Sequence, residues 1–252
     1  MFKSMHNMEN PLVICNVWDV ASATIAQNSG FSAIGTSSAA IAKNLGKEDG
    51  ENICFESLLS IVEIISKSTT LPLTVDIESG YGHTPEAIAD NIIELVKVGA
   101  VGINIEDSIV VKGERELRDG ILFAKILEKT RKRLSDKNIE VFINVRSDAY
   151  LLNVTHPLEE SIDRIRKYQL AGADGIFLPC INTSSDIQSV VASTVLPINV
   201  MSVPNLPTFS ELKNLGVKRI SMGNFVHEAM LASLSSMLIS IGQDQSFKGL
   251  FQ

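Results

Sequence analysis

Short runs of apolar, mostly β-branched residues alternate with longer amphipathic segments along the whole chain. The short runs predict eight strands, and the amphipathic segments between them predict helices. The predicted strands are residues 12–17, 33–36, 71–77, 102–105, 140–145, 175–178, 197–200 and 219–222, and the clearest predicted helices are residues 85–98, 120–134 and 157–171. Strands that are apolar on both faces indicate a parallel sheet that is covered by helices.

One local pattern recurs, in which a helical segment ends at a glycine and a strand begins two or three residues later. It is seen in NSGFSAIG, KVGAVGIN, LAGADGIF and NLGVKRIS. Glycine in this position supplies the left-handed residue that stops a helix. Eight such strands without a long flexible linker predict one domain over residues 1–252, folded as a (β/α)8 barrel. A doubly wound open sheet is the alternative.

A barrel of this kind places its chemically active side chains at the carboxyl ends of the strands. Polar residues do follow the predicted strands in this sequence. They are Trp18 and Asp19, Ser37 and Ser38, Asp76 and Glu78, Glu106 and Asp107, Arg146 and Asp148, Cys180, Ser202, and Asn224.

The acids after the third and fourth strands predict a metal site. Asp76 and Glu78 are two residues apart, so they point to the same side if the strand continues to Glu78. Glu106 ends the neighbouring strand, and three converging anions repel one another unless a cation neutralises them. Oxygen ligands alone favour Mg2+ or Mn2+. A single aspartate at a strand end is commonly a cap or turn residue, and that interpretation holds for Asp107 and Asp148.

Arg146 ends an otherwise apolar strand and therefore needs an anionic partner. It either pairs with Asp148 or Glu106 as a structural residue, or it binds a substrate carboxylate in bidentate fashion. Ser37 and Ser38 offer backbone and hydroxyl donors for a second anionic oxygen.

Composition narrows the class of protein. The formal charge of −7 and the pI near 5.2 exclude nucleic acid as the expected partner. The polar start of the chain predicts no secretory signal, and no apolar run of about 18 residues predicts a membrane span. Cys15, Cys54 and Cys180 have no metal-type spacing, which fits free thiols in a reducing cytoplasm.

These motifs resemble the isocitrate lyase/phosphoenolpyruvate mutase superfamily over nearly the full length of the chain. The matching segments are FSAIGTSSAAIAKNLGKEDG, LPLTVDIESGYG, GAVGINIEDS, FINVRSDAYL, GADGIFLPC and PINVMSVPNLPTFSELKNLGVKRISMGN. The strand followed by Gly-Tyr-Gly, together with the Ile-Glu-Asp segment, is the most specific part. The last segment is most similar to the uncharacterised branch of the family.

The resemblance implies a Mg2+-dependent barrel that acts on small 2-oxo or 2-hydroxy dicarboxylic acids through a metal-stabilised enolate. It also implies a homodimer or homotetramer, often with the last helix swapped between subunits. Carried over position by position, it implies metal binding by Asp76, Glu78 and Glu106, with Asp49 reaching the metal through water, and substrate binding by Trp18, Ser37, Ser38, Ala39, Arg146, Asn199 and Ser202.

Departures from the family pattern bear on the reaction. The family often has aspartate where this chain has Glu78, and the loop at residues 108–119 lacks the cysteine and histidine of the lyases. Lys112 alone matches the phosphonomutase loop. Lys112 and Glu114 are therefore the catalytic candidates on this loop, with Arg115 and Tyr81 as alternative bases. The loop is either a lid or a solvated connection.

Three functions follow from these observations. The first is a carbon–carbon lyase or decarboxylase acting next to the carbonyl of a 2-oxo or 2-hydroxy dicarboxylic acid. The second is a phosphonopyruvate- or phosphoenolpyruvate-type enzyme that acts on a C–P bond. The third is a catalytically silent barrel that binds a 2-oxo acid. Retention of the three clustered acids favours an enzyme.

Overall fold

Eight parallel strands close into a barrel in the computed structural model, which describes residues 2–251. The barrel strands are β1 (Leu12–Val17), β2 (Ile34–Thr36), β3 (Leu73–Asp76), β4 (Ala100–Glu106), β7 (Phe142–Arg146), β8 (Gly175–Leu178), β9 (Ile198–Met201) and β10 (Arg219–Ser221). Two further strands, β5 (Ser108–Val111) and β6 (Glu114–Leu117), form a separate antiparallel hairpin. The order around the barrel is β1-β10-β9-β8-β7-β4-β3-β2. The predicted (β/α)8 barrel is confirmed, and the doubly wound open sheet is wrong because the sheet has no edge.

Helices connect successive barrel strands, and one further helix lies before the first strand and one after the last. They are α1 (Phe2–Met5), α2 (Val20–Asn28), α3 (Ser38–Asn44), α4 (Phe55–Ser68), α5 (Pro85–Lys97), α6 (Gly120–Asp136), α7 (Pro157–Leu170), α8 (Ser184–Ala192), α9 (Phe209–Asn214) and α10 (Phe225–Asp244). Polar side chains begin several of them: Thr84 accepts the Ala87 N–H before α5, where Pro85 occupies the first turn. The hairpin β5–β6 is an insertion between β4 and α6, where the sequence predicted only a loop.

The recurring glycine does end helices. Gly30, Gly99, Gly172 and Gly216 have φ between 82° and 110° and follow α2, α5, α7 and α9. At Gly99, a Cβ would lie 2.2 Å from the Ser66 hydroxyl oxygen as well as in the left-handed region. A side chain is therefore excluded there on two grounds.

The barrel interior is polar at mid-height and aromatic at its base. The side-chain amide of Asn144 donates to Asn104 at 2.9 Å and to Asn199 at 3.1 Å, across three different strands. At the base, the ring of His6 stacks on Phe142 with centroids 4.2 Å apart. Burial lowers the pKa of His6 to about 4, so a neutral imidazole closes the barrel floor.

The last helix is the least buried part of the fold. Within the described residues of α10, only His227 is buried, and its ring lies against Trp18 with centroids 4.7 Å apart. Met230, Leu234 and Leu238 are each 45–58% exposed. By length and composition alone, this helix, with a mean hydropathy of 1.4, is long and apolar enough to cross a membrane. One such helix is weak evidence for a membrane span and does not contradict the sequence-based expectation that there is none.

Candidate active site

The segment after β3 carries two acids to the mouth of the barrel. β3 ends at Asp76, and Glu78 lies beyond it with a φ of 49°. The Glu78 N–H donates to Asp76 Oδ1 at 3.3 Å, and its carbonyl accepts the Glu106 N–H at 2.8 Å. The expectation that the strand continues to Glu78 is therefore wrong. A left-handed turn, rather than strand alternation, directs this side chain, and such strain in a non-glycine residue is typical of functional sites.

The carboxylate of Glu78 lies in an anionic environment. Burial, reinforced by the charges of Asp49, Asp76 and Glu106, raises the pKa of Glu78 to about 8. The Tyr81 hydroxyl donates to its Oε1 at 2.9 Å, which opposes the shift. Anions that raise one another's pKa in this way lack a sufficient counter-charge.

Asp76 is fixed by the residue that the sequence assigned to substrate binding. The Ser38 hydroxyl donates to Asp76 Oδ2 at 2.8 Å. Burial raises the pKa of Asp76, while the charge of Arg146 opposes the rise. Ser38 therefore orients an acid of the site in this structure.

Arg146 sits between two carboxylates. Its Nη1 lies 3.0 Å from Glu106 Oε2, and its Nε donates to Asp148 Oδ1 at 2.6 Å. Burial raises the pKa of Glu106 to about 7, and Arg146 opposes this shift. Of the two alternatives for Arg146, the structure shows the pairing with Glu106 and Asp148, and its role toward substrate stays a prediction.

The hairpin β5–β6 brings a second arginine to the acids. Arg115 on β6 donates through Nη1 to Glu106 and through Nη2 to Asp49 Oδ2 at 3.0 Å. Its Nη1 also lies 3.5 Å from Asp148 Oδ2. The alternation of β6 explains this placement, because Glu114 and Glu116 are exposed while Arg115 turns inward.

The two catalytic candidates on the same hairpin are not brought to the acids. Lys112 is an exposed residue at the hairpin tip with a φ of 53°, and Glu114 is exposed at the start of β6. The sequence predicted either a lid or a solvated connection for this segment. Antiparallel pairing of Val111 with Glu114 leaves Lys112 exposed at the turn, and the catalytic roles of Lys112 and Glu114 stay predictions.

The other predicted substrate residues divide into two groups. Ser37 caps α3 by accepting the Ala40 N–H at 3.3 Å, and its own N–H donates to the Val17 carbonyl at 3.0 Å. Ala39 is partly buried in the first turn of α3. Trp18 is buried against His227, so its ring covers the start of α10.

Asn199 lies inside the barrel on β9, and Ser202 follows the carboxyl end of the same strand. Asn199 is buried inside, where its amide donates to the Ser221 hydroxyl at 3.1 Å. The Ser202 hydroxyl donates to the Met222 carbonyl at 3.2 Å. In this structure both side chains hold strand ends together.

Asp107 and Asp148 are not caps or turn residues of the kind that the sequence suggested. Asp107 Oδ2 accepts from the Tyr168 hydroxyl at 2.7 Å and from Arg164 at 3.0 Å, and its Oδ1 accepts the Asp148 N–H at 2.9 Å. The Ser108 hydroxyl donates to Asp148 Oδ2 at 2.5 Å. Both carboxylates are fully buried, and ion pairing rather than capping compensates their charge.

A cavity of about 200 Å³ opens beside the acids. It is lined by residues of the Gly-Tyr-Gly turn, the segment before α4, the hairpin and its exit, namely Gly50, Glu51, Glu78, Ser79, Gly82, His83, Glu106, Ile109, Val110 and Arg118. Val110 closes one side, since a Cβ on Gly50 would lie 2.6 Å from it. His83 follows the Gly-Tyr-Gly turn, a position from which a role at the rim is expected. Arg118 was not predicted, because it follows the last residue of β6 and so falls outside any strand pattern.

The donor chemistry of this site fits a hard divalent cation. All candidate ligands are carboxylate oxygens, and Asp49 Oδ1 and Glu106 Oε2 are buried without accepting a hydrogen bond from any described residue. Across residues 2–251, however, no three His, Cys, Asp or Glu side chains are already grouped to hold an ion. The guanidinium of Arg115 lies between Asp49 and Glu106, so a cation shared by these two acids requires that Arg115 withdraw.

Fold and site together define a class of protein: a parallel (β/α)8 barrel with clustered acids at the carboxyl ends of its third and fourth strands. Residues 2–241 match the phosphoenolpyruvate phosphomutase family. The chain therefore belongs to that family, within the isocitrate lyase/phosphoenolpyruvate mutase superfamily, and the resemblance read from the sequence is confirmed.

Several relatives support this placement. A crystal structure of a candidate phosphonomutase from Burkholderia cenocepacia J2315 is 37% identical, with a TM-score of 0.88, and the match covers 94% of this chain and 97% of that one. Oxaloacetate decarboxylase from Bradyrhizobium sp. is 27% identical over 88% of this chain and 76% of its own length. 2-Methylisocitrate lyase from Escherichia coli K12 is 27% identical over 83% of this chain and 72% of its own length. The superfamily thus includes lyases, decarboxylases and mutases.

Proposed function

We propose that this protein is a Mg2+-dependent lyase that breaks a carbon–carbon bond next to the carbonyl of a small 2-oxo dicarboxylic acid, with decarboxylation as the preferred reaction. The observation that carries the proposal is the buried cluster of acids, in which burial and the charges of Asp49, Asp76 and Glu106 raise the pKa of Glu78. Such a cluster is unfavourable unless a cation binds it.

Asp76, Glu78, Glu106 and Asp49 would hold the cation. When bound, Mg2+ supplies Lewis-acid polarisation of the substrate carboxylate and keto oxygens. The remaining roles belong to the protein's own side chains. Ser38 orients Asp76, and Tyr81 keeps its phenolic proton because burial and the Glu78 charge raise its pKa.

The placement of the hairpin side chains favours decarboxylation over a retro-aldol cleavage. In a decarboxylation the bond to the leaving carboxylate breaks, its electron pair passes to the adjacent carbon and keto oxygen, and CO2 departs. Water then protonates that carbon. A retro-aldol cleavage also needs a base for the substrate hydroxyl, and Lys112 and Glu114 are exposed at the hairpin tip.

A catalytically silent, acid-binding barrel is the second candidate, and Arg115 favours it. Its guanidinium already bridges Asp49 and Glu106, which lowers the gain from binding a cation there.

Calorimetric titration with Mg2+ and oxalate, an analogue of the enolate of a 2-oxo acid, tests the site. We expect oxalate to bind only when Mg2+ is present, and Asp76→Ala to abolish this binding while the far-ultraviolet circular dichroism stays unchanged. Asp90→Ala, which removes a surface acid paired with Arg133, is the matched control. Absence of metal-dependent oxalate binding would contradict both the site and the enzyme.

Turnover separates the two candidates. A panel of 2-oxo and 2-hydroxy diacids with Mg2+, followed by CO2 release and product analysis, identifies the reaction. Oxalate binding without turnover of any panel member supports the silent barrel.

We also propose that the protein assembles as a homodimer or homotetramer through α10. Met230, Leu234 and Leu238 expose apolar surface along this helix, and its buried residue, His227, contacts Trp18 and Asn44. A second copy of the chain is the partner that we propose for this helix, because contiguous exposed apolar surface is typical of subunit interfaces.

A further inference from the structure

Arg118 is held in place by its backbone at the exit of the hairpin. Its N–H donates to the Asp107 carbonyl at 2.8 Å, and its own carbonyl accepts from Arg164 Nη2 at 2.9 Å. Asp107 and Arg164 belong to the buried ion pair beneath the site. The backbone position of Arg118 is therefore fixed, even if the hairpin tip moves.

The side chain of Arg118 lines the same cavity as Glu78 and Glu106. Among the described residues, its guanidinium forms no hydrogen bond and no ion pair, although it is half-buried. Burial lowers its pKa, and the charges of Glu51 and Glu106 oppose this. A partly desolvated guanidinium without a hydrogen-bond partner is unfavourable unless a ligand accepts its hydrogen bonds.

The two other arginines of the site are already engaged. Arg115 pairs with Asp49 and Glu106, and Arg146 pairs with Glu106 and Asp148. Arg118 is thus the cavity-lining arginine with free donors, and a planar guanidinium suits a carboxylate because it can donate two parallel hydrogen bonds.

We propose that Arg118 binds the second carboxylate of the substrate and thereby selects dicarboxylic acids over monocarboxylic acids. This inference rests on the proposed function, in which the other end of the substrate lies at the acid cluster. The cavity of about 200 Å³ supports a short diacid, because it is smaller than the ~300 Å³ at which pockets for drug-sized ligands begin.

Malate and lactate form a matched pair of probes, since both are 2-hydroxy acids and malate adds one carboxylate. Their dissociation constants are measured by calorimetry with Mg2+ for the wild type, Arg118→Gln, Arg118→Lys and the surface control Arg133→Gln. We expect the wild type and the control to bind malate about 10- to 100-fold more tightly than lactate, as a charged hydrogen-bonded pair implies.

In Arg118→Gln we expect this ratio to fall to near one, because malate weakens while lactate binds as before. Arg118→Lys should restore part of the ratio, which also shows that the site is intact. An unchanged ratio in Arg118→Gln overturns the inference alone. Failure of the wild type to bind malate more tightly than lactate, although it binds oxalate with Mg2+, also overturns the inference alone, whereas failure to bind oxalate as well overturns the proposed function and this inference with it.

Discussion

Replacement of Arg115 by glutamine should strengthen Mg2+ binding. Arg115 is a side chain of the hairpin β5–β6 whose guanidinium lies where Asp49 and Glu106 face each other. It supplies one positive charge to a cluster that is short of positive charge. A divalent cation and this guanidinium compete for the same two carboxylates, so the wild-type affinity for Mg2+ includes the free energy of displacing Arg115.

The size of the effect follows from the bonds that are lost. Arg115 donates to one oxygen of Glu106 and to one oxygen of Asp49, and its side chain is 16% exposed. A hydrogen bond to a charged group contributes about 1.5–3 kcal/mol, and solvent at Asp49, which is 35% exposed, reduces its share. A total of about 3 kcal/mol corresponds to roughly 100-fold tighter Mg2+ binding in Arg115→Gln.

Calorimetric titration of metal-free protein with Mg2+ measures this change directly. Thermal unfolding supplies a second readout: without metal, Arg115→Gln should unfold at a lower temperature than the wild type, and saturating Mg2+ should raise its Tm by more. Arg133→Gln, which loses only a surface pair with Asp90, should match the wild type in both assays. Equal or weaker Mg2+ binding in Arg115→Gln would show that the guanidinium does not compete with the cation.

Three further predictions concern pH, stability and assembly. In a chelator, the free energy of unfolding should fall as pH rises from about 4.5 to about 8, because folded Glu78 retains a proton that the unfolded chain releases. Glu78 contributes at most about 1.4 kcal/mol per pH unit to this slope, and Glu78→Gln should make the slope less steep by about that amount; an identical slope in the variant would refute the assignment. Tyr168→Phe removes the 2.7 Å hydrogen bond to the buried carboxylate of Asp107. Urea titrations should show that this variant has a free energy of unfolding lower by about 1.5–3 kcal/mol. A loss under about 0.5 kcal/mol would be inconsistent with a stabilising role for this hydrogen bond. The double variant Leu234→Ser, Leu238→Ser should be a monomer in light scattering, where the wild type is an oligomer. The control Leu170→Ser, on the exposed face of α7, should keep the mass of the wild type. An unchanged mass in the double variant would exclude α10 as the interface.

The barrel could be predicted from the sequence because each of its signals is local. The strands at residues 12–17 and 175–178 match the structure at both ends, and the remaining six differ by a few residues. Periodicity, β-branched content and the glycine after each helix act over short stretches of chain. They need no knowledge of which segments meet in space.

The acids of the site were found for the same reason, since they follow strands whose ends must meet at one face. Their pairing was not found. Asp107 is compensated by Arg164 and Tyr168, which lie 57 and 61 residues further along the chain. Nothing local in the sequence marks such a partner, so an isolated aspartate was read as a cap.

The hairpin explains the remaining errors. Residues 108–119 were read as a loop because the segment is charged and short of apolar residues. Its pairing places Arg115 among the acids and leaves Lys112 and Glu114 exposed. The alternation in Glu114–Leu117 was visible in the sequence, but a four-residue strand is too short to distinguish from a turn by pattern alone.

Two of the three arginines at the site come from outside the barrel strands. Asp76, Glu106 and Arg146 belong to the barrel wall, whereas Arg115 and Arg118 belong to a short insertion whose ends are anchored at Asp107 and at the start of α6. Exchange of this insertion for another of similar span would therefore alter these two arginines and leave the barrel ladder intact. For protein engineering, the hairpin is therefore the segment to exchange in order to change the substrate range of the barrel.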